Sequence, residues 1–172
     1  MSEPHLPEVP VPPGPGVLGV GTDLVHVPAF AHQLTIPGTV FAERAFTARE
    51  LREVRRRADA TGSLQAEHLA ARWAAKEALV KAWSQAANTL AGTAVPPSLS
   101  PESLDWRDIE VVTDRWGRPQ LRLAGAVRDA VEQALGRGSA QTRCWPVSLT
   151  HDDDWAAAVV LCTRWQAQPL VG

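Results

Sequence analysis

Four residues of this sequence carry side chains suited to polar chemistry. Asp23 follows an apolar run, Glu77 and Lys81 stand one helical turn apart in an Ala-rich stretch, and His151 follows Val147-Ser148-Leu149-Thr150. A carboxylate can hold a hard cation or take up a proton. A lysine can neutralise phosphate or, when desolvated, lend its amine as a base, and a histidine can carry a proton near neutral pH. Asp23 and Glu77 together could hold Mg2+, which binds one or two carboxylates and fills its remaining positions with water and phosphate oxygens. Taken singly, each residue has a plainer reading. Asp23 can cap the following turn. Glu77 can be an exposed helix glutamate paired with Lys81 at i,i+4. His151, on the Val147 and Leu149 side of its strand, can be an edge histidine bonded to a backbone carbonyl. Against the plain reading of Glu77, Trp73 and Ala74 lie one turn before it, and a carboxylate among such neighbours is partly buried and needs a partner. Lysine usage points to the same place: of 17 basic residues 15 are Arg, and the two lysines, Lys76 and Lys81, bracket Glu77.

Positioning these groups requires a strand before Asp23, a helix under Glu77 and a strand before His151. The β-branched run 17–25 reads as a strand. Thr47-Ala48-Arg49-Glu50 has the capping-box pattern and opens a helix over about 48–60, with Glu53 and Arg57 at i,i+4 and Arg49, Arg52 and Arg56 on one face. The main helix is predicted over about 66–87, which lacks Gly and Pro, with Leu69, Trp73, Lys76, Val80, Trp83 and Ala87 as its stripe. Residues 88–104 read as a loop. Strands at 108–113 and 120–123 flank the turn Arg115-Trp116-Gly117-Arg118-Pro119 and make a hairpin. A short helix spans 125–135, stopped by Gly136 and Gly138. Two strands, 146–150 and 155–163, close the chain, with Asp152-Asp153-Asp154 as a solvated turn. Strands and helices alternate without a βαβ rhythm, so the predicted class is α+β with an antiparallel sheet.

The 172 residues (18.6 kDa) carry a net charge of −2, with 45% hydrophobic and 21% charged side chains, the balance of a globular domain with a real core. The near-neutral charge argues against a general nucleic-acid binder. No apolar run approaches the roughly 18 residues of a membrane span. Residues 1–16 hold six prolines and no basic residue, which reads as a disordered tail rather than a secretory signal. Residues 17–165 are expected to form the domain and 166–172 a second tail. Cys144 and Cys162 lack metal-ligand spacing and suit a reducing cytosol. Gly19-Val20-Gly21 completes no dinucleotide fingerprint, and no phosphate loop with a following Lys-Ser/Thr is present.

Five blocks in order change the reading: Gly19-Val20-Gly21-Thr22-Asp23; Phe41-Ala42-Glu43-Arg44-Ala45-Phe46-Thr47; Arg72-Trp73-Ala74-Ala75-Lys76-Glu77-Ala78-Leu79-Val80-Lys81-Ala82; Gly117-Arg118-Pro119; and Val147-Ser148-Leu149-Thr150-His151-Asp152. This pattern, over nearly all of 17–163, resembles the holo-[acyl-carrier-protein] synthase family, the short 4′-phosphopantetheinyl transferases. Trp73 and the turn 113–119 make it most similar to actinobacterial and mycobacterial members.

The resemblance implies an antiparallel sheet wrapped around a long central helix as a single pseudo-repeat. It implies transfer of 4′-phosphopantetheine from coenzyme A to a serine of an apo acyl carrier protein, as in fatty acid biosynthesis. Adenosine 3′,5′-bisphosphate leaves, and Mg2+ is required. Asp23 and Glu77 then match the metal ligands. Lys81 matches a lysine that neutralises the leaving phosphate or serves as base, Glu77 acting through a water being the other candidate base. Arg72, Gly117, Arg118, Pro119 and His151 fall at coenzyme A contacts, with His151 also in the catalytic group; Lys76 packs its stem. The longer branch of the superfamily carries an Asp-x-Glu pair, whereas here Asp23-Leu24-Val25 lacks the third acid. This favours the short branch, implying a cytoplasmic homotrimer with active sites between subunits.

Some features depart from the family. The chain is longer at the N-terminus, in the 88–104 loop and after Trp165. The first helix of the family carries a basic patch for the carrier, but 28–40 holds no Lys or Arg. Carrier docking must then use Arg44, Arg49 and Arg52, or apolar contacts from Phe30, Ile36 and Val40, for a fatty-acid or polyketide-type carrier. Two other activities fit the same residues: a module that binds coenzyme A without turnover, and a Mg2+-dependent hydrolase of a nucleotide diphosphate. All five blocks keep their polar residues, which favours transfer.

Overall fold

A computed structural model describes residues 16–164. The tails expected over 1–16 and 166–172 therefore lie, apart from Gly16, outside the described residues. The chain folds as β1 (Val17–His26), α1 (Val27–Thr35), α2 (Phe41–Ala45), α3 (Ala48–Thr61), α4 (Gln65–Ala91), β2 (Ile109–Thr113), β3 (Pro119–Leu123), α5 (Gly125–Leu135), β4 (Val147–Asp152) and β5 (Trp155–Thr163). The α+β expectation holds. An antiparallel sheet of order β1-β5-β4 lies along α4, and β2-β3 forms a separate hairpin.

α4 is the axis of the molecule. Along β1, Gly19, Gly21, Asp23 and Val25 turn toward the helix, and their partners on β5, Cys162, Val160, Ala158 and Ala156, are all buried. A Cβ on Gly21 would overlap the Ala78 carbonyl oxygen, and one on Gly19 the Ala82 carbonyl oxygen. Glycine on the strand and fully buried Ala74, Ala75, Ala78, Ala82 and Ala86 on the helix let the two backbones approach. The same strand alternation carries Asp23 to the α4 side.

α4 runs four residues further than predicted, to Ala91, and stops at Gly92, whose φ of 69° is left-handed. Residues 88–91 of the expected loop are therefore helical. β2 starts at Ile109, after a 3-10 turn at Trp106–Asp108. α1 and α2 carry no strong sequence signal. α1 follows His26, whose Nδ1 accepts from the Ala29 N–H at 3.4 Å, and has Pro28 in its first turn. α3 opens on the expected capping box of Thr47 and Glu50.

Lys76 departs from expectation. Its amino group does not reach water: it is fully buried and donates to Glu50 Oε2 (2.9 Å), the Ala45 carbonyl (2.7 Å) and the Trp106 carbonyl (3.1 Å). Glu50 in turn accepts from the Thr47 and Val111 N–H groups. One buried ion pair thus ties α2, α3, the 3-10 turn and β2 to α4, and burial pushes the Lys76 amine below its ordinary range, with Glu50 opposing. Lys76→Met should cost about 3–5 kcal/mol by stranding the Glu50 carboxylate. Lys76→Met with Glu50→Leu should recover most of that loss. Urea unfolding of both variants checks this.

Candidate active site

Two groups of polar side chains stand on different sides of α4. The first joins β1 to α4. Lys81 Nζ donates to Asp23 Oδ1 at 2.7 Å and to the Thr22 carbonyl at 3.0 Å. The expected alternative, a Glu77–Lys81 surface pair, does not form; the lysine reaches across to the strand. Asp23 is mostly buried, its side chain 12% exposed. The Glu77 carboxyl is hydrogen-bonded to that of Asp23. Burial first, and then the Asp23 charge and hydrogen bond, push it up to about 7, against Lys81 and the Trp73 indole. Trp73 is itself wedged against Trp106 (ring centroids 4.6 Å apart) and Phe41 (5.1 Å).

Two carboxylates held against each other form a site whose paired negative charge a divalent cation can neutralise. Asp23 and Glu77 therefore fit Mg2+ as a pair, leaving its other positions for water or a ligand's oxygens. No group of three His, Cys, Asp or Glu side chains is arranged for a metal among the described residues.

The second group lines a cleft of about 280 Å³ between α4, the β2-β3 hairpin and β4, with Arg57, His68, Arg72, Gly117, Pro119 and His151 on its walls. Arg72 is 4% exposed. Its Nη1 donates to the His68 carbonyl at 3.2 Å, and its Nε is buried without a partner. A buried guanidinium with a free donor beside an open cleft is suited to an anion. The His68 ring stands edge-on to His151 at 5.3 Å, with its Nε2 2.7 Å from Ser63 Oγ. Burial, and then His151, Arg72 and Arg57, hold the His68 imidazole below its usual range. Gly117 has φ 83°, and a Cβ there would sit 3.0 Å from Arg57 Nη2. Arg118 stays outside the cleft: it bonds Asp114 and, with Arg115, stacks on the exposed Trp116 ring.

Arg57 is held over the cleft by Glu53 at 3.1 Å. Arg56, then Arg57, hold the Glu53 carboxyl down at about 2 against the opposing effect of burial. A carboxylate depressed on folding contributes stability above its unfolded pKa, and that stability is lost as pH falls through the folded value. Between about pH 4.5 and 2, Glu53→Gln should therefore show a shallower loss of stability than the parent, measured by denaturant midpoints across that range. The pair is partly exposed, so the change is modest.

The sequence singled out Asp23, Glu77, Lys81, Arg72, Gly117, Arg118, Pro119 and His151, but not which of them meet. Arg72 and Glu77 are five residues apart and so roughly 140° apart around α4. One chain thus brings Asp23, Glu77 and Lys81 together, and separately Arg72, Gly117, Pro119 and His151. His68 and Arg57 were missed. The spacing of His68 and Arg72 at i,i+4 could have found the first. Among the residues suggested for carrier docking, Phe30 is buried and unavailable, whereas Ile36 and Val40 are exposed.

The profile of the 4′-phosphopantetheinyl transferase superfamily matches residues 19–160. A holo-[acyl-carrier-protein] synthase of Corynebacterium glutamicum is 44% identical over 147 residues, 86% of this chain and 98% of the relative. One of Mycobacterium tuberculosis is 49% identical over 146 residues, 85% and 96% of the two chains. Among solved structures, the Chronobacterium ammoniagenes ACPS-CoA complex superposes with a TM-score of 0.71 at 41% identity, covering 87% of this chain and 98% of that one. With its two polar clusters carried on this fold, the chain belongs to the 4′-phosphopantetheinyl transferase superfamily.

Proposed function

We propose that the protein is a holo-[acyl-carrier-protein] synthase, moving 4′-phosphopantetheine from coenzyme A to a serine hydroxyl of an apo acyl carrier protein and releasing adenosine 3′,5′-bisphosphate. The observation that carries this reading is the compact meeting of Asp23, Glu77 and Lys81 between β1 and α4. Asp23 and Glu77 would hold Mg2+, which supplies charge neutralisation at the diphosphate. Lys81, tethered by Asp23 and the Thr22 carbonyl, keeps a positive charge where negative charge builds on the leaving phosphate. Because its ammonium already donates to both groups, the geometry favours an electrostatic role for Lys81 and leaves proton removal from the serine to the Glu77 side. Trp73 and Asp23 fix the Glu77 carboxyl in place.

Arg72, His68 and His151 would bind the anionic nucleotide portion of coenzyme A, with the Gly117–Pro119 turn closing one wall. Because that cleft and the carboxylates face apart, a complete site takes the cleft of one copy and the carboxylates of its neighbour. This supports a homotrimer with sites between subunits. The face of the β1-β5-β4 sheet turned away from α4 exposes Leu24, Trp155 and Val159, a surface a neighbour can cover. Both cysteines are buried free thiols, which fits a reducing cytosol. Among the described residues no helix is long and apolar enough to cross a membrane.

The reading predicts adenosine 3′,5′-bisphosphate release only when apo carrier is added to coenzyme A and Mg2+. Release without carrier would indicate a hydrolase, and binding without release a silent module. The shared site has its own test. Glu77→Gln and His151→Ala copies should each be inactive, and mixing them after mild dissociation should restore a measurable fraction of activity. No recovery in mixed oligomers would place both groups in the same subunit's site.

A further inference from the structure

The hydrogen bonds around His68 fix where its imidazole carries hydrogen. Thr61 Oγ1 donates to the Arg57 carbonyl at 2.9 Å, which commits the threonine hydrogen. The 2.6 Å contact between Thr61 Oγ1 and Ser63 Oγ must then use the serine hydrogen. Ser63 Oγ is left as the acceptor for His68 Nε2 at 2.7 Å. The chain therefore runs one way, from His68 Nε2–H through Ser63 and Thr61 to the Arg57 carbonyl. Nδ1 is the ring atom left to take a proton. The residue is 8% exposed and lines the cleft. Among the described residues, charged and titratable groups face it from three elements: Arg57 on α3, Glu67 and Arg72 on α4, and the edge-on His151 on β4. The hairpin side of the cleft brings Thr113, Gly117 and Pro119, which are uncharged. Two guanidiniums and a second imidazole outweigh one carboxylate, and burial acts with them, so His68 is neutral near pH 7.

We propose that His68 takes up a proton when the anionic nucleotide portion of coenzyme A binds in this cleft, and loses it when adenosine 3′,5′-bisphosphate leaves. The inference rests on the transferase reading, which sets the nucleotide between Arg72, His68 and His151. Arg72 Nη1 donates to the His68 carbonyl, while its Nε is buried with no partner among the described residues. His68 and Arg72 are one turn apart on α4, so their side chains share a face. A phosphate that meets the Nε therefore comes close to the imidazole. It offsets the guanidinium charges that kept the ring neutral and favours a further cation beside it, in surroundings where such interactions are strong. Solvent supplies the proton to Nδ1 and takes it back on release. The Nε2–H bond to Ser63 persists throughout, so the ring gains its charge without turning. The affinity gained in this way is present below the pKa of His68 in the complex and is lost as pH rises through it.

The test is isothermal titration of the protein with coenzyme A near pH 7, repeated in buffers of different ionisation enthalpy, which counts the protons taken up on binding. The phosphate of coenzyme A titrates in this range as well, but that contribution is common to the proteins compared, so the difference between them isolates His68. His68→Gln can still offer an N–H to Ser63 and cannot titrate. The parent should take up a substantial fraction of one proton more than this variant. Relative to the variant, its affinity should fall by up to about tenfold per pH unit between about pH 6 and 8, and the two should converge by about pH 8.5. His68→Phe, which keeps a ring in place, serves if the amide variant fails to fold. His151→Ala should bind more weakly and keep the extra proton. Equal uptake by the parent and the His68 variants, or an extra proton that disappears with His151→Ala alone, overturns the proposal and leaves the transferase standing. Failure of the parent to bind coenzyme A overturns both.

Discussion

Asp23→Ala and Glu77→Ala should each cut carrier loading to below about a thousandth of the parent rate, while thermal unfolding and circular dichroism stay close to it. Asp23 reaches the cluster only because strand alternation turns it toward α4 at the point where Gly19 and Gly21 have let the helix come close. Glu77 meets it there, carboxyl against carboxyl. On the proposed mechanism, removing either would leave a single carboxylate, a poor anchor for a hard cation that must also engage a diphosphate. The surrounding packing rests on alanines and on the Trp73 cluster, which the truncations do not touch. Glu77→Gln refines the result. The amide keeps the size and a hydrogen bond to Asp23 but loses the charge, so its rate should fall with that of Glu77→Ala. Parent-like rates for both Asp23→Ala and Glu77→Ala at limiting Mg2+ would remove the metal assignment.

Lys81→Ala should lower kcat by about two to three orders of magnitude, with little change in stability. The side chain is 55% exposed, and a surface ion pair of that kind contributes only about 0–1 kcal/mol to folding. On the proposed mechanism the same ammonium would stand beside charge that develops on phosphate oxygens. Losing a preorganised donor of that type costs roughly 3–4 kcal/mol of transition-state stabilisation. Lys81→Arg separates the two roles. Arginine keeps the charge and cannot act as a base at any working pH. Because Lys81 is held by Asp23 and the Thr22 carbonyl as a donor, the arginine variant should recover a substantial part of the rate. No recovery by arginine, together with a pH profile that loses its acidic, ascending limb, would return Lys81 to the role of base. A near-normal kcat for Lys81→Ala would take it out of the mechanism.

Local signals made much of this molecule legible from its sequence. Thr47 and Glu50 announce the start of α3 because a capping box is written in four adjacent residues. Gly136 ends α5 for an equally local reason. α4 was found but cut short, and its stripe misread, because amphipathic reasoning assumes one wet face. Here Ala70, Ala71, Ala74, Ala75, Ala78, Ala82 and Ala86 are all buried and the helix is surrounded by sheet and helices. Lys76 sat in the apparent apolar stripe, and nothing local shows that its amine would find Glu50, 26 residues away. α1 and α2 are short and held by tertiary contacts such as Phe30 and Phe41, edge-to-face at 5.7 Å, so they carry little propensity signal. The identities of the candidate site residues were readable from motif blocks. Their division into two groups was not, because it follows from the angle around α4 and from which strand lies against which face.

The most direct measurement is the intact mass of a purified apo acyl carrier protein after incubation with coenzyme A, Mg2+ and this protein. The mass should rise by one phosphopantetheine moiety, at a single serine, with a matching yield of adenosine 3′,5′-bisphosphate, and no rise should occur with the Glu77→Gln protein. A carrier of unchanged mass, in the presence of folded protein that still binds coenzyme A, would contradict the assignment.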